Sequence, residues 1–230
     1  MLVIEKKTKS LEAKRKLLSN DISKKDFMIF VKEIEQLRKD TDKLAIYTHL
    51  RFCANTNDQK AVAEMSQVET FLTKIGNRLL FFNLWFKSLP KKKADQLIND
   101  SGKYHYFFET IRKNKPYTLK ENEEKIVNIK DNTGISALNN IYNIFTAKFE
   151  FEFQGEKKTQ EEMVTYVRST DPNIRKEAYQ TLLAPFKENK EVIGEIYKNI
   201  INDWREENVN LRGYKSPINV RNVVNDIPDE

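Results

Sequence analysis

Apolar residues recur at intervals of three and four positions through most of the chain, which is the spacing of one face of an α-helix. Over about residues 6–55 this spacing predicts two or three antiparallel helices. Breaks are expected at Ser19–Asp21 and near Asp40–Asp42, where short polar side chains can cap a following helix. A longer stripe from Val62 to Phe86 ends before Pro90 and predicts the longest helix. Its C-terminal end should be the more deeply buried, because the stripe widens there.

The next part of the chain continues the helical pattern in shorter pieces. A short helix, a break at Ser101–Gly102 and an aromatic helix that ends before Pro116 are expected. Thr118–Glu121 has the spacing of a capping box, in which threonine and glutamate side chains accept free backbone N–H groups at a helix start. Two helices should follow, over about residues 119–131 and 135–147.

The pattern changes to alternation at Lys148–Phe153, where phenylalanine occupies every second position. Gln154–Gly155 can form a turn and Glu156–Lys158 a returning strand, which predicts a two-stranded hairpin with its phenylalanines on one face. The expected fold class is therefore mainly α: a multi-helix array with one small β-hairpin near residues 147–158.

Local start signals predict the helices after the hairpin. Thr159–Glu162 repeats the capping-box spacing, and Asp171–Pro172 has the chemistry of an N-cap and a first helical turn. Asn189 should start a further helix, and Ser216–Pro217 should open a final short one. We find no internal repeat.

Composition is that of a globular protein. Apolar residues make up 39% of the chain and charged residues 32%, and the six glycines and six prolines are too few for a many-turned β-sandwich. Cys53 is the single cysteine, so no internal disulfide is possible. Because Met1–Lys6 lacks the features of a secretory signal, we expect a cytoplasmic location. The apolar run Leu79–Phe86 is far shorter than the roughly 20 residues that span a bilayer, so no membrane partner is expected.

Net charge is a weak functional signal in this chain. The formal charge is +6, but 34 acidic residues are mixed among 40 basic ones, and runs such as Lys91–Lys93 are typical of solvated faces. Nucleic acid is therefore an unfavoured partner. A stand-alone helical module that binds an acidic protein or RNA stays open as the alternative function.

Few residues offer catalytic or metal-binding chemistry. The chain has two histidines, His49 and His105, and neither lies in an H-E-x-x-H sequence, which supplies two zinc ligands and a general base in metallopeptidases. His49 precedes Cys53 by one helical turn, so a thiol enzyme is a further alternative, although a buried and inert cysteine is the favoured interpretation. No catalytic residue and no metal ligand is predicted within the chain.

Four segments carry a resemblance to a known family. In chain order they are Tyr104–Arg112, Pro116–Glu124, Arg168–Arg175 and Arg212–Pro217. Their order and spacing resemble the front part of the oligoendopeptidase F family of zinc metallopeptidases. The resemblance covers about the second half of the chain, and residues 1–103 agree with it only in being helical.

One of these segments also has a purely structural interpretation. Arg168 and Arg175 flank Asp171, which favours an ion-pair and capping cluster over contact with a substrate.

The resemblance implies a domain plan. Residues 1–115 would form an N-terminal helical region, residues 116–158 the helix pair and hairpin of the oligoendopeptidase N-terminal domain, and residues 159–230 the start of the helical peptidase domain. In the family, two largely helical lobes enclose a channel that admits short peptides. This chain would supply one wall of the channel. The candidate channel residues, in or after the last glycine loop, are Arg212, Tyr214, Asn222 and Asn225.

The resemblance also implies what the 230 residues leave out. The family's zinc, its ligands and its catalytic glutamate belong to a C-terminal lobe, so the chain is expected to be inactive by itself and to be a truncated part of a peptidase. Zinc is expected in the full-length family member, and short peptides are expected as partners through the missing lobe. An exposed lobe interface predicts an apolar patch and a tendency to self-associate.

Overall fold

The computed structural model describes residues 1–229, and the prediction of a mainly α fold with one small hairpin is confirmed. Strands β1 (Phe151–Phe153) and β2 (Glu156–Lys158) pair antiparallel, with Glu152 opposite Lys157. The helices, in chain order, are α1 Leu2–Ala13, α2 Lys24–Ala54, α3 Gln59–Ser88, α4 Lys91–Asp100, α5 His105–Lys113, α6 Glu121–Thr133, α7 Ile135–Thr146, α8 Gln160–Val167, α9 Pro172–Glu188, α10 Lys190–Arg205 and α11 Pro217–Asn225.

The chain forms two compact units. The first contains Met1–Thr133 together with the described residues from Arg205 onward, and the second contains Gly134–Trp204. The domain boundaries at residues 115 and 158 were drawn from family resemblance, and they stay predictions.

The first unit is built around a cluster of aromatic rings between α2, α3 and α5. Phe27, Phe86 and Phe108 are completely buried. Their rings lie 4.6 to 6.0 Å apart, centroid to centroid. Phe81 and Phe82 are buried beside them, so the C-terminal end of α3 lies in the core as predicted.

The break expected near Asp40–Asp42 is wrong, because α2 runs through it and is slightly longer than α3. The polar side chains find partners that leave the helix intact. Thr41 donates to the carbonyl of Arg38 at 2.8 Å, and Asp40 accepts from Lys7 of α1. Leu37 on one side of the expected break is buried, so packing against the core extends through this stretch.

Apart from the break near Asp40–Asp42, the sequence signals for helix starts have counterparts in the structure, with one exception. Ser23, Asp58, Asp171 and Ser216 cap their helices as N-caps, and Thr159 forms the predicted capping box with Glu162.

The exception is the capping box predicted at Thr118–Glu121, which does not form. The N–H groups of Leu119 and Lys120 donate to the carboxylates of Glu124 and Glu123, and α6 begins at Glu121. The hydroxyl of Thr118 is occupied elsewhere: it donates to the carbonyl of Asn114 and accepts from Lys87.

The second unit has its own small core beneath the hairpin. Phe151 and Phe153 point to one face and are buried with Met163 of α8 and Ala178 of α9, while Phe149 packs against the edge of this cluster. The alternating phenylalanines therefore lie on one face of the hairpin and pack it against helices, as their period predicts.

Of the ion-pair and capping cluster expected around Asp171, the cap is confirmed, whereas the ion pairs are absent among the described residues. Asp171 caps α9 by accepting from the N–H of Asn173 at 2.8 Å. Arg175 donates to the carbonyls of Ser169 and Thr170, at 2.8 and 2.9 Å, instead of to the carboxylate of Asp171. The arginine therefore stabilises the turn that precedes α9.

Over residues 1–229, every helix is too short or too polar to cross a bilayer.

Candidate functional site

A cavity of about 350 Å³ lies in the first unit and contains two of the predicted channel residues, Arg212 and Tyr214. We call it the Arg212 cavity. It forms where α3, α5, the start of α6 and the segment after α10 meet. Its lining residues are Leu80, Asn83, Leu84, Lys87, Phe107, Thr110, Ile111, Asn114, Tyr117, Glu124, Asn208, Arg212 and Tyr214.

A π-helix at Glu206–Leu211 brings Arg212 to the cavity. The wide turn is closed by the N–H of Arg212, which donates to the carbonyl of Glu207 at 2.9 Å. Gly213 then takes a left-handed conformation, with φ of 78°, which lets the chain reverse before Tyr214. Short π-helical segments are rare and occur frequently at functional sites.

Arg212 forms a bidentate ion pair with Glu124 in the wall of the cavity. Its two terminal nitrogens donate to the two carboxylate oxygens of Glu124 at 2.9 Å each. The same carboxylate accepts the N–H of Leu119 at 2.9 Å, and Nε of Arg212 donates to Glu207 at 2.6 Å. Because the side chains of Arg212 and Glu124 are only 15% and 11% exposed, these bonds replace most of their contact with water.

These contacts keep both groups charged. Burial alone would raise the pKa of Glu124. The hydrogen bonds from Arg212 and Leu119 and the positive charge of Arg212 outweigh that effect and hold the pKa below its ordinary value. The hydrogen bonds from Arg212 to Glu124 likewise raise the pKa of Arg212. The pair is therefore a fixed, internally neutral part of the wall.

Tyr214 packs flat against Tyr117 on another part of the wall. The ring centroids are 3.6 Å apart and the planes differ by 12°. The hydroxyl of Tyr214 donates to the side-chain oxygen of Asn114 at 3.3 Å. Burial raises the pKa of Tyr214, which therefore stays a neutral donor near pH 7.

Lys87 supplies a second positive charge to the cavity. Its Nζ donates to the hydroxyl of Thr118 at 2.7 Å. Burial lowers the pKa of Lys87, although the nearby charge of Glu124 acts in the opposite direction. Among residues 1–229 no carboxylate forms an ion pair with Lys87, so its remaining N–H donors are available to a ligand.

The other two predicted channel residues lie elsewhere. Asn222 on α11 donates to the carboxylate of Asp229 at 2.8 Å, and Asn225 is exposed at the end of the same helix. Neither belongs to the described lining of the Arg212 cavity. The structure therefore brings Arg212 and Tyr214 together and leaves Asn222 and Asn225 outside.

Sequence reasoning missed Lys87, Asn114, Tyr117 and Glu124 as part of this site. No signal in the sequence distinguishes Glu124, because its burial and its pairing with Arg212 appear only in the folded chain.

Among the described residues, the two histidines and the cysteine do not form a zinc site. Cys53 is exposed, so the buried position expected for it is wrong. Its Sγ lies 3.5 Å from Nε2 of His49 on α2, but this pair offers only two ligand atoms. Within the first unit, no described His, Cys, Asp or Glu places a third ligand atom beside His49 and Cys53. His105 contacts the carbonyl oxygen of Ile98 through Nδ1 and the carboxylate of Glu109 through Nε2. Because a zinc site needs at least three protein ligands, we derive no metal chemistry from these residues.

Comparison with known sequences points to peptidases. The family model described as Oligopeptidase F matches residues 85–151. The chain is 22% identical over 171 residues to the group B oligopeptidase PepB of Streptococcus agalactiae, a match that covers 70% of this chain and 28% of that protein. It is 25% identical over 209 residues to an oligoendopeptidase F homolog of Borreliella burgdorferi, covering 88% of this chain and 34% of that protein.

Comparison with solved structures extends the similarity of fold to nearly the whole chain. The oligoendopeptidase-F of Enterococcus faecium matches 99% of this chain with a TM-score of 0.80 and 17% sequence identity, and the match covers 45% of that protein. The chain thus spans about a third of the curated relatives it matches and less than half of this structure. The chain is therefore similar to the N-terminal part of oligoendopeptidase F proteins.

Proposed function

We propose that the chain is the N-terminal lobe of a zinc oligopeptidase that hydrolyses short peptides inside an enclosed channel. The fold match over 99% of the chain is the observation that carries this proposal, and the Oligopeptidase F match at residues 85–151 agrees with it. In this proposal the lobe forms one wall of the channel and holds peptides, while the groups that cleave them come from the rest of the protein.

The distribution of chemistry along the chain is consistent with this division of roles. The 230 residues contain two histidines and no H-E-x-x-H sequence, and the ionised groups of the Arg212 cavity are mostly engaged with one another. Zinc bound by the remainder of such a peptidase would activate the water that attacks the peptide bond. The residues of this chain would bind and orient the peptide.

A peptide hydrolysis assay tests the proposal. The 230-residue chain and a longer product of the same gene would each be incubated with internally quenched short peptides, with and without a chelator. We expect no cleavage by the 230-residue chain and chelator-sensitive cleavage by the longer product. Cleavage by the 230-residue chain alone would contradict the proposed division of roles.

The location and assembly that we propose follow from the same assignment. A lobe that packs on a second lobe exposes apolar surface when it is separated from it, so the isolated chain should self-associate. Light scattering that shows a monomer over a wide concentration range would contradict this expectation. We also propose a cytoplasmic location for the protein.

A further inference from the structure

A second cavity of the first unit adjoins the Arg212 cavity. It has a volume of about 410 Å³ and lies between α2, α3 and α5. We call it the Gly76 cavity, after a glycine in its floor. Leu80, Asn83 and Phe107 line both cavities, so the two adjoin along α3, and we call them together the groove.

The length of the groove fits a short extended peptide. Its lining residues on α3 run from Leu72 to Lys87, which is about 22 Å at the helical rise of about 1.5 Å per residue. An extended chain rises about 3.3 Å per residue, so about six or seven residues match this length.

Gly76 leaves the floor of the groove open. It lies in the middle of α3, where glycine is less favourable than alanine. A Cβ atom at this position would meet no atom within 4 Å, so core packing does not require glycine here. A glycine that faces an open groove allows the backbone of a ligand to approach the helix closely.

Apolar side chains dominate the middle of the groove. Phe107 is 40% exposed although it is a large aromatic residue, and Leu79 and Leu80 are half-buried beside it. Exposed apolar surface in a concave site is typical of places that bind a ligand. These side chains can hold the side chains of a peptide without strong sequence preference.

The two ends of the groove differ in charge. Arg38 and Asp42 stand at the end of the Gly76 cavity, and their opposite charges give no preference for either end of a peptide. At the other end Arg212 forms ion pairs with Glu124 and Glu207. Among the described residues, Nζ of Lys87 donates only to the hydroxyl of Thr118. A carboxylate is the group that complements an unpaired lysine.

We propose that this groove binds a short peptide of about six or seven residues in extended form, with the C-terminal carboxylate of the peptide at Lys87. The choice of a peptide as the ligand rests on the proposed function. The groove itself lies entirely within the first unit, so binding does not require the zinc-bearing part of a peptidase.

Fluorescence polarisation of a labelled peptide tests the proposal on the full 230-residue chain. The probe is a heptapeptide of leucine and alanine with fluorescein on its N-terminus and a C-terminus that is either free or amidated. Lys87→Met removes the charge, Lys87→Arg keeps it, and Gly76→Leu fills the floor. Gly194→Leu is the matched control, because a Cβ atom at Gly194 on α10 also meets nothing within 4 Å and this residue lies outside the groove.

We expect the free peptide to bind at least about tenfold more tightly than the amidated one, which is about 1.4 kcal/mol, and Lys87→Met to abolish this difference. Lys87→Arg should retain it, and Gly76→Leu should weaken both peptides while Gly194→Leu leaves them unchanged. Equal binding of the two peptides, or no binding by the unsubstituted chain, would overturn the proposal. Because the assay contains no hydrolytic step, its failure is distinguishable from failure of the longer product to cleave peptides.

Discussion

Arg212 and Glu124 are 88 positions apart in the sequence, and the terminal nitrogens of the arginine meet the carboxylate oxygens of the glutamate at 2.9 Å each. The chain leaves the first unit after Thr133 and returns to it at Arg205, and this pair joins the returning segment to α6. The ion pair is therefore a long-range contact that holds the first unit together beside the groove.

Loss of this ion pair should destabilise the protein strongly. Arg212→Ala leaves the carboxylate of Glu124 largely buried and without its cation, so we expect a cost of about 3 kcal/mol in the free energy of unfolding. Urea unfolding followed by circular dichroism measures it. Arg51→Ala is the control, because the pair of Arg51 with Glu64 is more exposed and its loss should cost clearly less. Equal costs for the two substitutions would contradict a special role for Arg212.

Removal of the charge at Lys87 should stabilise the folded chain near pH 7. Burial lowers the pKa of Lys87 in the folded protein below 10.5, so the ammonium form opposes folding. We expect a higher Tm for Lys87→Met than for the unsubstituted chain, measured by thermal unfolding.

The sign of the pH dependence follows from the same shift. The unsubstituted chain gains stability as pH rises from the folded pKa of Lys87 toward 10.5, so the advantage of Lys87→Met should shrink by pH 10. Lys74→Met on the exposed side of α3 should show no such advantage. A lower Tm for Lys87→Met than for the unsubstituted chain, both near pH 7 and at pH 10, would contradict the expectation that burial destabilises the charged form of Lys87.

Glu35 should titrate far below an ordinary glutamate. Tyr104 donates to its carboxylate at 2.7 Å, and Lys39 and Lys103 add further hydrogen bonds, which together lower the pKa of Glu35 from 4.5 to about 2. The carboxylate therefore contributes stability above pH 4.5 that is lost as pH falls toward 2. NMR titration of Tyr104→Phe should find the pKa of Glu35 moved back toward 4.5, because the largest cause of the shift is gone. An unchanged pKa in the variant would contradict this assignment.

Substitution of two glycines by alanine should change the stability of the chain in opposite directions. Gly76→Ala should stabilise the chain by about 0.5–1 kcal/mol, because alanine favours the interior of a helix and its Cβ meets no atom at this position. Gly155→Ala should destabilise it by about 1 kcal/mol, because the hairpin turn requires φ of 79° there. Urea unfolding of both variants checks the signs, and a destabilising Gly76→Ala would contradict the open floor of the groove.

Local signals in the sequence predicted most of the secondary structure. Asp58, Thr159 and Ser216 cap helices where their positions indicated, because a cap depends on residues within one turn. The alternation of phenylalanines before Gln154–Gly155 likewise predicted the hairpin. These features depend on short-range contacts, which a single sequence records directly.

Long-range contacts explain why one predicted break was wrong and why some residues of the site were not predicted. The polar residues near Asp40–Asp42 predict a break, but Lys7 of α1 and the core on both sides of this stretch favour a continuous helix. The sequence does not identify Glu124 as part of the site, because its partner Arg212 is distant along the chain. The resemblance predicts Arg212 and Tyr214 as candidates. It gives no signal for Lys87, because only the folded chain shows that no carboxylate of residues 1–229 pairs with this lysine.

We propose above that this chain is the front lobe of a zinc oligopeptidase, and the reading frame of its gene is the sharpest test of that proposal. We would sequence the gene beyond the codon for residue 230. We expect an open frame that continues into an H-E-x-x-H sequence, which would supply two zinc ligands and a general base. A stop codon directly after residue 230 would contradict it and would favour a stand-alone helical module that binds an acidic protein or RNA.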